Sequence, residues 1–284
     1  MTQQPPVPHL AIGGVGGSGT RLVAQWVREL GYHLGDDLNN ADDNLWWSLL
    51  FKRRDVLLMP DHELRALQEV FLARLAGTLR ITPQVRALVE GVAVTPHPKY
   101  AGGWLAERAA SFLTEPSGAH ERWGWKEPNT HVLLERFLGA DPDLRYVHLY
   151  RNGLEMAYSR NNQQVRTWGP VLLGRDVTTE PRDKLAYWCA AHRRMTALAE
   201  RHATRVLTVR FESLLARPDE ELARIAAFTG IEPDPEVSAE FAARLRRPVY
   251  RVEEDHTDRL DPADLDYLRT VGYDVGYDVG SAQE

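Results

Sequence analysis

The stretch HLAIGGVGGSGTRLVAQWVREL, His9 to Leu30, opens as a short apolar run, passes through five glycines around Ser18 and continues as an amphipathic segment of helical period. A strand, a glycine-rich turn and a helix in that order predict an α/β unit whose turn presents backbone N–H groups to an anion. Gly14 to Gly19 has the G-x-x-x-x-G spacing of a nucleoside-triphosphate loop, but Thr20-Arg21 follows where such enzymes have Lys-Ser or Lys-Thr. A dinucleotide fingerprint fits worse, because G-x-G-x-x-G is incompletely matched and no acidic residue follows a clear second strand about 20 positions on. The N-terminus of the helix adds partial positive charge, and Ser18 and Thr20 add hydroxyl donors. A sulfuryl group carries less charge than a terminal phosphoryl group, so backbone amides with one or two cationic side chains suffice for it.

Further along the chain, RYVHLYR (Arg145 to Arg151) and RVLTVRF (Arg205 to Phe211) read as β-rich runs followed by helical periodicity, and WGWKEP (Trp123 to Pro128) as a short fourth strand. This alternation predicts an α/β fold with a parallel sheet flanked by helices. Between the glycine loop and WGWKEP the periodicity predicts helices over 43–58, 61–79 and 102–113, an inserted helical cap at about 40–120 within one domain spanning 1–284. Pro181 to His202 reads as one long helix with a proline in its first turn. The repeat VGYDVGYDVG near the C-terminus is too short for a solenoid unit and reads as a tail or edge strand.

Composition narrows the function classes. With 284 residues, 43% of them hydrophobic, the chain is long enough to bury a sizeable core. A net charge of −6 argues against nucleic acid or an anionic membrane as partner, so any anion site must be locally positive. A single cysteine, Cys189, allows no intrachain disulfide and reads as a buried structural thiol. The start MTQQPPVPHL has neither a basic n-region nor an apolar h-region, and no apolar run approaches the ~18 residues of a spanning helix, so a cytoplasmic protein is expected.

A second anion site is expected in LYRNGLEMAYSRNN. Arg151 lies at the carboxyl end of a predicted strand, where ligands of open α/β sheets bind. Ser159 follows eight residues later, so that both face one side of a helix starting near Gly153. An arginine fork and a hydroxyl suit one phosphate.

On these residues the chain resembles the sulfotransferase family, whose donor is 3′-phosphoadenosine-5′-phosphosulfate. GVGGSGTR looks like the family's site for the 5′-phosphosulfate, RNGLEMAYS like its 3′-phosphate motif, and RFESLLARPDEELARIAAFTGI (Arg210 to Ile231) like its late strand-to-helix segment. The resemblance implies a P-loop-like fold, Gly16, Gly17, Ser18, Gly19, Thr20, Arg21, Arg151 and Ser159 as donor-binding residues, a small-molecule acceptor and no metal. One departure stands out: many members carry Lys or Arg just before Ser-Gly-Thr, where this chain has Gly17, leaving Arg21 as the nearby cation.

Four lysines, Lys52, Lys99, Lys126 and Lys184, stand against 30 arginines, which makes each lysine a compositional exception. Lys126, in WGWKEPNT, falls in a strand-end turn because Pro128 bars regular helix around Glu127. The turn resembles the family's Lys-Asp-Pro or Lys-Glu-Pro, which implies that Lys126 serves the transferring group; the plainer alternative is a solvated lysine paired with Glu127 or a neighbour.

An acceptor hydroxyl or amine must lose a proton, which calls for a carboxylate or histidine opposite the leaving group. The loop GYHLGDDLNNADDNLWW offers Asp36, Asp37, Asp42 and Asp43 beside His33, and placement favours Asp37 or Asp43; His97 in TPHPKY is the histidine alternative. Trp46 and Trp47 are candidates for an acceptor pocket wall, or for a split between core and surface. The resulting reading is a metal-independent sulfotransferase acting on a small-molecule hydroxyl or amine. Its competitors are a P-loop kinase or NTPase with an altered loop, which predicts magnesium-dependent ATP binding, and a catalytically silent nucleotide-binding protein. Acceptor and oligomeric state stay open.

Overall fold

The computed structural model describes residues 7–116, 118–245, 259–273 and 275. Strand β1 (His9–Gly14) is followed after the glycine turn by α1 (Thr20–Glu29). Three further strands, β2 (Gly124–Lys126), β3 (Leu144–Tyr150) and β4 (Val206–Arg210), complete a sheet of order β2-β1-β3-β4 in which every pairing is parallel. All four expected strands are therefore present, and the fold is an α/β parallel sheet flanked by helices. The repeat at 271–280 lies mostly outside the described residues.

The central strands are buried on both faces, which is why they read as apolar runs rather than alternating ones. Leu10 and Ile12 of β1 pack with Val147 and Leu149 of β3 and with Val23, Trp26 and Val27 of α1. Ala11 and Tyr146 point to the opposite core, which the cap covers. That side also receives α6 (Thr130–Ala140) and the 21-residue α9 (Pro181–Arg201), whose Pro181 sits in the first turn as expected. Cys189 of α9 is buried, and burial pushes its thiol pKa upward, consistent with a structural role.

The cap differs from expectation in three ways. The helix expected over 43–58 is α2 (Leu45–Phe51) followed by a 3-10 turn at Arg54–Leu57. The chain breaks at Lys52-Arg53 because both cations turn inward, Lys52 to Glu127 and Arg53 Nη2 to the carbonyls of Leu49 and Val92. Next, α3 (Asp61–Leu75) stops short of Leu79, beside Gly77 with φ 70°. Finally, α4 (Pro83–Val94) was not anticipated, although Thr82 caps it by accepting from Val85 N and Pro83 occupies its first turn. The expected third helix is α5 (Gly102–Phe112). Trp46 and Trp47 are both fully buried, so they neither wall a pocket nor split between core and surface.

Phe71 of α3 ties the cap to the sheet, its ring meeting Phe51, Trp125 of β2 and Phe137 of α6 edge-on at 5.3 to 6.1 Å between centroids. On this packing we propose that cap and sheet form one cooperative unit. Phe71→Ala should then lower stability by about 3–5 kcal/mol in a single urea transition. Two separated transitions would show that the cap unfolds by itself.

Candidate active site

The glycine loop is held from two sides. Gly14 N donates to Pro128 O at 3.1 Å, and Gln164 clamps the loop by accepting from Gly16 N at 2.9 Å and donating to Gly14 O at 3.1 Å. Gln164 lies on α8 (Gln163–Leu173), which ends in a left-handed Gly174. Gly17 and Gly19 have φ of 98° and 91°, and a Cβ on Gly19 would also enter the Phe211 ring. Among the described residues no side chain caps α1, so the amides that open its first turn are not taken up by a cap. Ser18 is fully buried, and its Oγ has no hydrogen-bond partner among the described residues. An orphaned buried hydroxyl costs about 1–3 kcal/mol, a cost that an anion bound in the loop would remove. Thr20 is buried beside it, whereas Arg21 is exposed on the first turn of α1.

Arg151 follows β3 and is 5% exposed. Its guanidinium pairs with Glu155 and lies 4.9 Å over the Phe211 ring, the same ring that borders Gly19. Arg151 and the loop are thus neighbours through Phe211. Ser159 departs from expectation, since α7 (Gly153–Ala157) is only five residues long and ends before it. The Ser159 hydroxyl donates to Met156 O at 2.8 Å, and its carbonyl accepts from Lys184 Nζ. The run Ser159 to Asn162 is rich in short polar side chains that compete for backbone groups, which explains the early stop.

The turn after β2 is the most constrained part of the site. Lys126 is 2% exposed, and its Nζ donates to Ala41 O at 2.8 Å and to Asp43 Oδ1. The alternative partner, Glu127, instead pairs with Lys52 at 2.5 Å and accepts from Asn129 N and Nδ2 at 2.5 and 2.8 Å. Burial pulls the Lys52 pKa down, but the facing Glu127 carboxylate outweighs it, so the pKa lies above its ordinary value. His131 of α6 hydrogen-bonds through Nδ1 to Pro128 O at 2.8 Å, and burial pushes its pKa down to about 4, leaving a neutral ring that pins the turn.

The base candidates fall in different surroundings. Asp43 shares the Lys126 site and also accepts from Asn39 Nδ2 at 2.9 Å. Asp37 is bound to Arg108 of α5 at 2.9 Å. Asp42 pairs with Arg28, and Asp36 with His33 and Arg74. Each aspartate thus faces its own cation rather than another aspartate. His97 accepts from Lys99 N and Tyr100 N on Nδ1, which leaves Nε2 to donate to Lys52 O at 2.9 Å. Burial lowers its pKa, and both ring nitrogens are engaged.

Sequence reasoning missed Gln164, Asn129 and the roles of Lys52, Glu127 and Lys184. The scarcity of lysine was a usable signal: Lys52, Lys126 and Lys184 are 5%, 2% and 8% exposed, and all three reach into this region.

The sequence model of the sulfotransferase family matches residues 8–235. Among solved structures, the sulfotransferase STF9 from Mycobacterium avium superposes with a TM-score of 0.50 at 14% identity, covering 96% of this chain and 79% of that one. The sulfotransferase domain of the Synechococcus PCC 7002 olefin synthase gives a TM-score of 0.48 at 18% identity, covering 96% of this chain and 98% of that one. No curated protein matches the sequence. At such identities STF9 supports the fold, while the family rests on the match over most of the chain.

Removing the Glu127 charge should strand Lys52. Glu127→Gln should cost about 3–5 kcal/mol in urea unfolding at pH 7. In the parent protein the raised Lys52 pKa contributes stability that is complete below 10.5 and is lost as pH rises through the folded value. In the variant, burial without a partner lowers that pKa, so the deficit should narrow as pH climbs toward 10. A pH-independent deficit would mean that Lys52 is not the group affected.

Proposed function

This chain belongs to the sulfotransferase family, and on that premise we propose that it moves a sulfuryl group from 3′-phosphoadenosine-5′-phosphosulfate to a hydroxyl or amine of a small-molecule acceptor. The observation that carries the reading is the loop at Gly16 to Arg21, where α1 starts without a side-chain cap next to a fully buried Ser18 whose hydroxyl has no partner among the described residues. Those groups fit an anion that brings acceptor oxygens and little need for a metal-like countercharge.

The donor, when bound, supplies the electrophilic sulfur and the nucleotide leaving group. Gly17, Gly19, Thr20 and Arg21 would hold its 5′ end through their amides, with the hydroxyls of Ser18 and Thr20 adding donors, while Gly16, whose own amide is held by Gln164, would keep the backbone close to the anion. Arg151 and Ser159 would hold its 3′-phosphate. Arg151 is now paired with Glu155, so a phosphate shares the guanidinium with that carboxylate. Lys126 would carry positive charge to the oxygen that leaves, which is the role its burial and limited partners suit.

Asp43 is the proposed base, because it alone of the candidates touches Lys126. In the transfer the two groups would part, Lys126 turning to the oxygen that leaves and Asp43 to the acceptor hydroxyl or amine on the opposite side of the sulfur. Asp37 would hold Arg108 and the cap in place instead.

Adenosine 3′,5′-bisphosphate should raise the melting temperature without magnesium, and Mg-ATP should do less. Equal shifts from ADP and the bisphosphate would remove the 3′-phosphate assignment. Arg151→Ala should weaken bisphosphate binding by about 1.5–3 kcal/mol, and Ser159→Ala by less.

Turnover separates the other roles. Lys126→Ala should lower kcat far more than it weakens bisphosphate binding, since that product lacks the sulfuryl group. Asp43→Asn should cut kcat by ~10²–10⁴-fold with donor binding intact, while Asp37→Asn keeps kcat. The reverse order would make Asp37 the base.

A further inference from the structure

A cleft of about 950 Å³ opens between the cap and α8. One wall is the cap at residues 52–55 and 96–99, and the other runs along residues 160–163 to Arg166 and Thr167. Six cationic side chains line it, Lys52, Arg53, Arg54, Lys99, Arg160 and Arg166, against one carboxylate, Asp55. The whole chain carries a net charge of −6, so this concentration runs against its overall balance.

Only part of that charge is cancelled. Lys52 is neutralised by Glu127. Arg53 is buried and its Nη2 donates to backbone carbonyls, which leaves its charge in place. Arg54 donates to the carbonyls of Thr167 and Arg166 at 2.7 and 2.6 Å, so it fixes the width of the cleft while keeping its charge. Lys99 Nζ lies 4.9 Å over the Tyr100 ring. Arg160 and Arg166 are exposed and form no ion pair among the described residues. A concave surface with this charge focuses its field on small anions.

The cleft also lies beside elements that carry the proposed reaction site. Asn161 of its wall lies against Gly16, with Nδ2 2.7 Å from where a Cβ on that glycine would stand. Lys52 of its floor pairs with Glu127, next in sequence to Lys126. None of the loop residues at 14–21, nor Arg151 or Ser159, lines it, so it is distinct from both positions proposed for the donor.

From this we infer that the cleft binds an anionic group of the acceptor, which is a small molecule carrying a phosphoryl or carboxylate group besides the hydroxyl or amine that reacts. The inference rests on the sulfuryl-transfer reading for the word acceptor, and on the cleft alone for the anion. The volume suits a small ligand rather than a polymer. Arg160 and Arg166 supply forks for the anion, Lys99 a point charge, and Arg54 a rigid frame.

The test is a calorimetric titration of the full chain, saturated with adenosine 3′,5′-bisphosphate, by inorganic pyrophosphate in one arm and citrate in the other. At least one anion should bind saturably, more weakly at higher salt, and about tenfold or more weaker to the Arg160→Gln/Arg166→Gln variant. Tighter pyrophosphate assigns a phosphoryl group, and tighter citrate a carboxylate. If neither anion saturates, or the variant binds both as tightly as the parent, the inference is overturned. Indifference of the parent to the bisphosphate would contradict the donor reading alone, and the comparison with the variant still decides the cleft.

Discussion

A carboxylate taken wholly out of water is tolerated only where opposite charge and N–H groups surround it. Glu127, with no exposed surface, meets that condition with the ammonium of Lys52 and with the backbone and side-chain N–H groups of Asn129. Asn129 in turn accepts from Trp168 Nε1 at 2.8 Å. One buried charge thereby joins the cap, the edge of the sheet and α8. Its own backbone N–H donates to Ile12 O, and the next carbonyl, Pro128 O, receives Gly14 N, so the same turn fixes where β1 ends and the glycine loop begins. Lys126 is delivered toward Asp43 by that turn rather than by any property of its own flexible stem.

On the proposed reading, the loop would bind its anion differently from a lysine-bearing phosphate loop. Its positive character comes from amides and a helix terminus, which need no desolvation of a mobile ammonium at the loop itself. Gln164 keeps those amides in place from α8, the helix whose start also borders the basic cleft. The glycine loop and the cleft consequently share α8 as a support. A shift in α8 would move the loop clamp and the Arg166 wall together.

Much of this was legible in the sequence because it rests on local patterns. The strands show as apolar runs, and the glycine turn, Pro181 and the Lys-Glu-Pro turn each carry a backbone constraint in their residue type. What escaped rests on distant pairings. Glu127 chooses Lys52, 75 residues away, over its neighbour Lys126, and Asp37 chooses Arg108, 71 residues away. No local pattern encodes those choices, which satisfy buried charges only after the cap has closed on the sheet. The helix expected to carry Ser159 fails for a local reason that was readable, a run of Ser, Arg, Asn and Asn that favours turns. Likewise the Thr-Pro start of α4 was present in the sequence and is a recognised cap.

The central claim is that the glycine loop and the end of β3 hold one nucleotide between them. Amide hydrogen exchange of the full chain with and without saturating adenosine 3′,5′-bisphosphate locates that contact directly. The account predicts slowed exchange in peptides covering residues 14–21 and 151–160 together, with residues 96–99 unchanged. Slowing that spares the loop, or that appears in the loop while 151–160 exchanges as before, would contradict it.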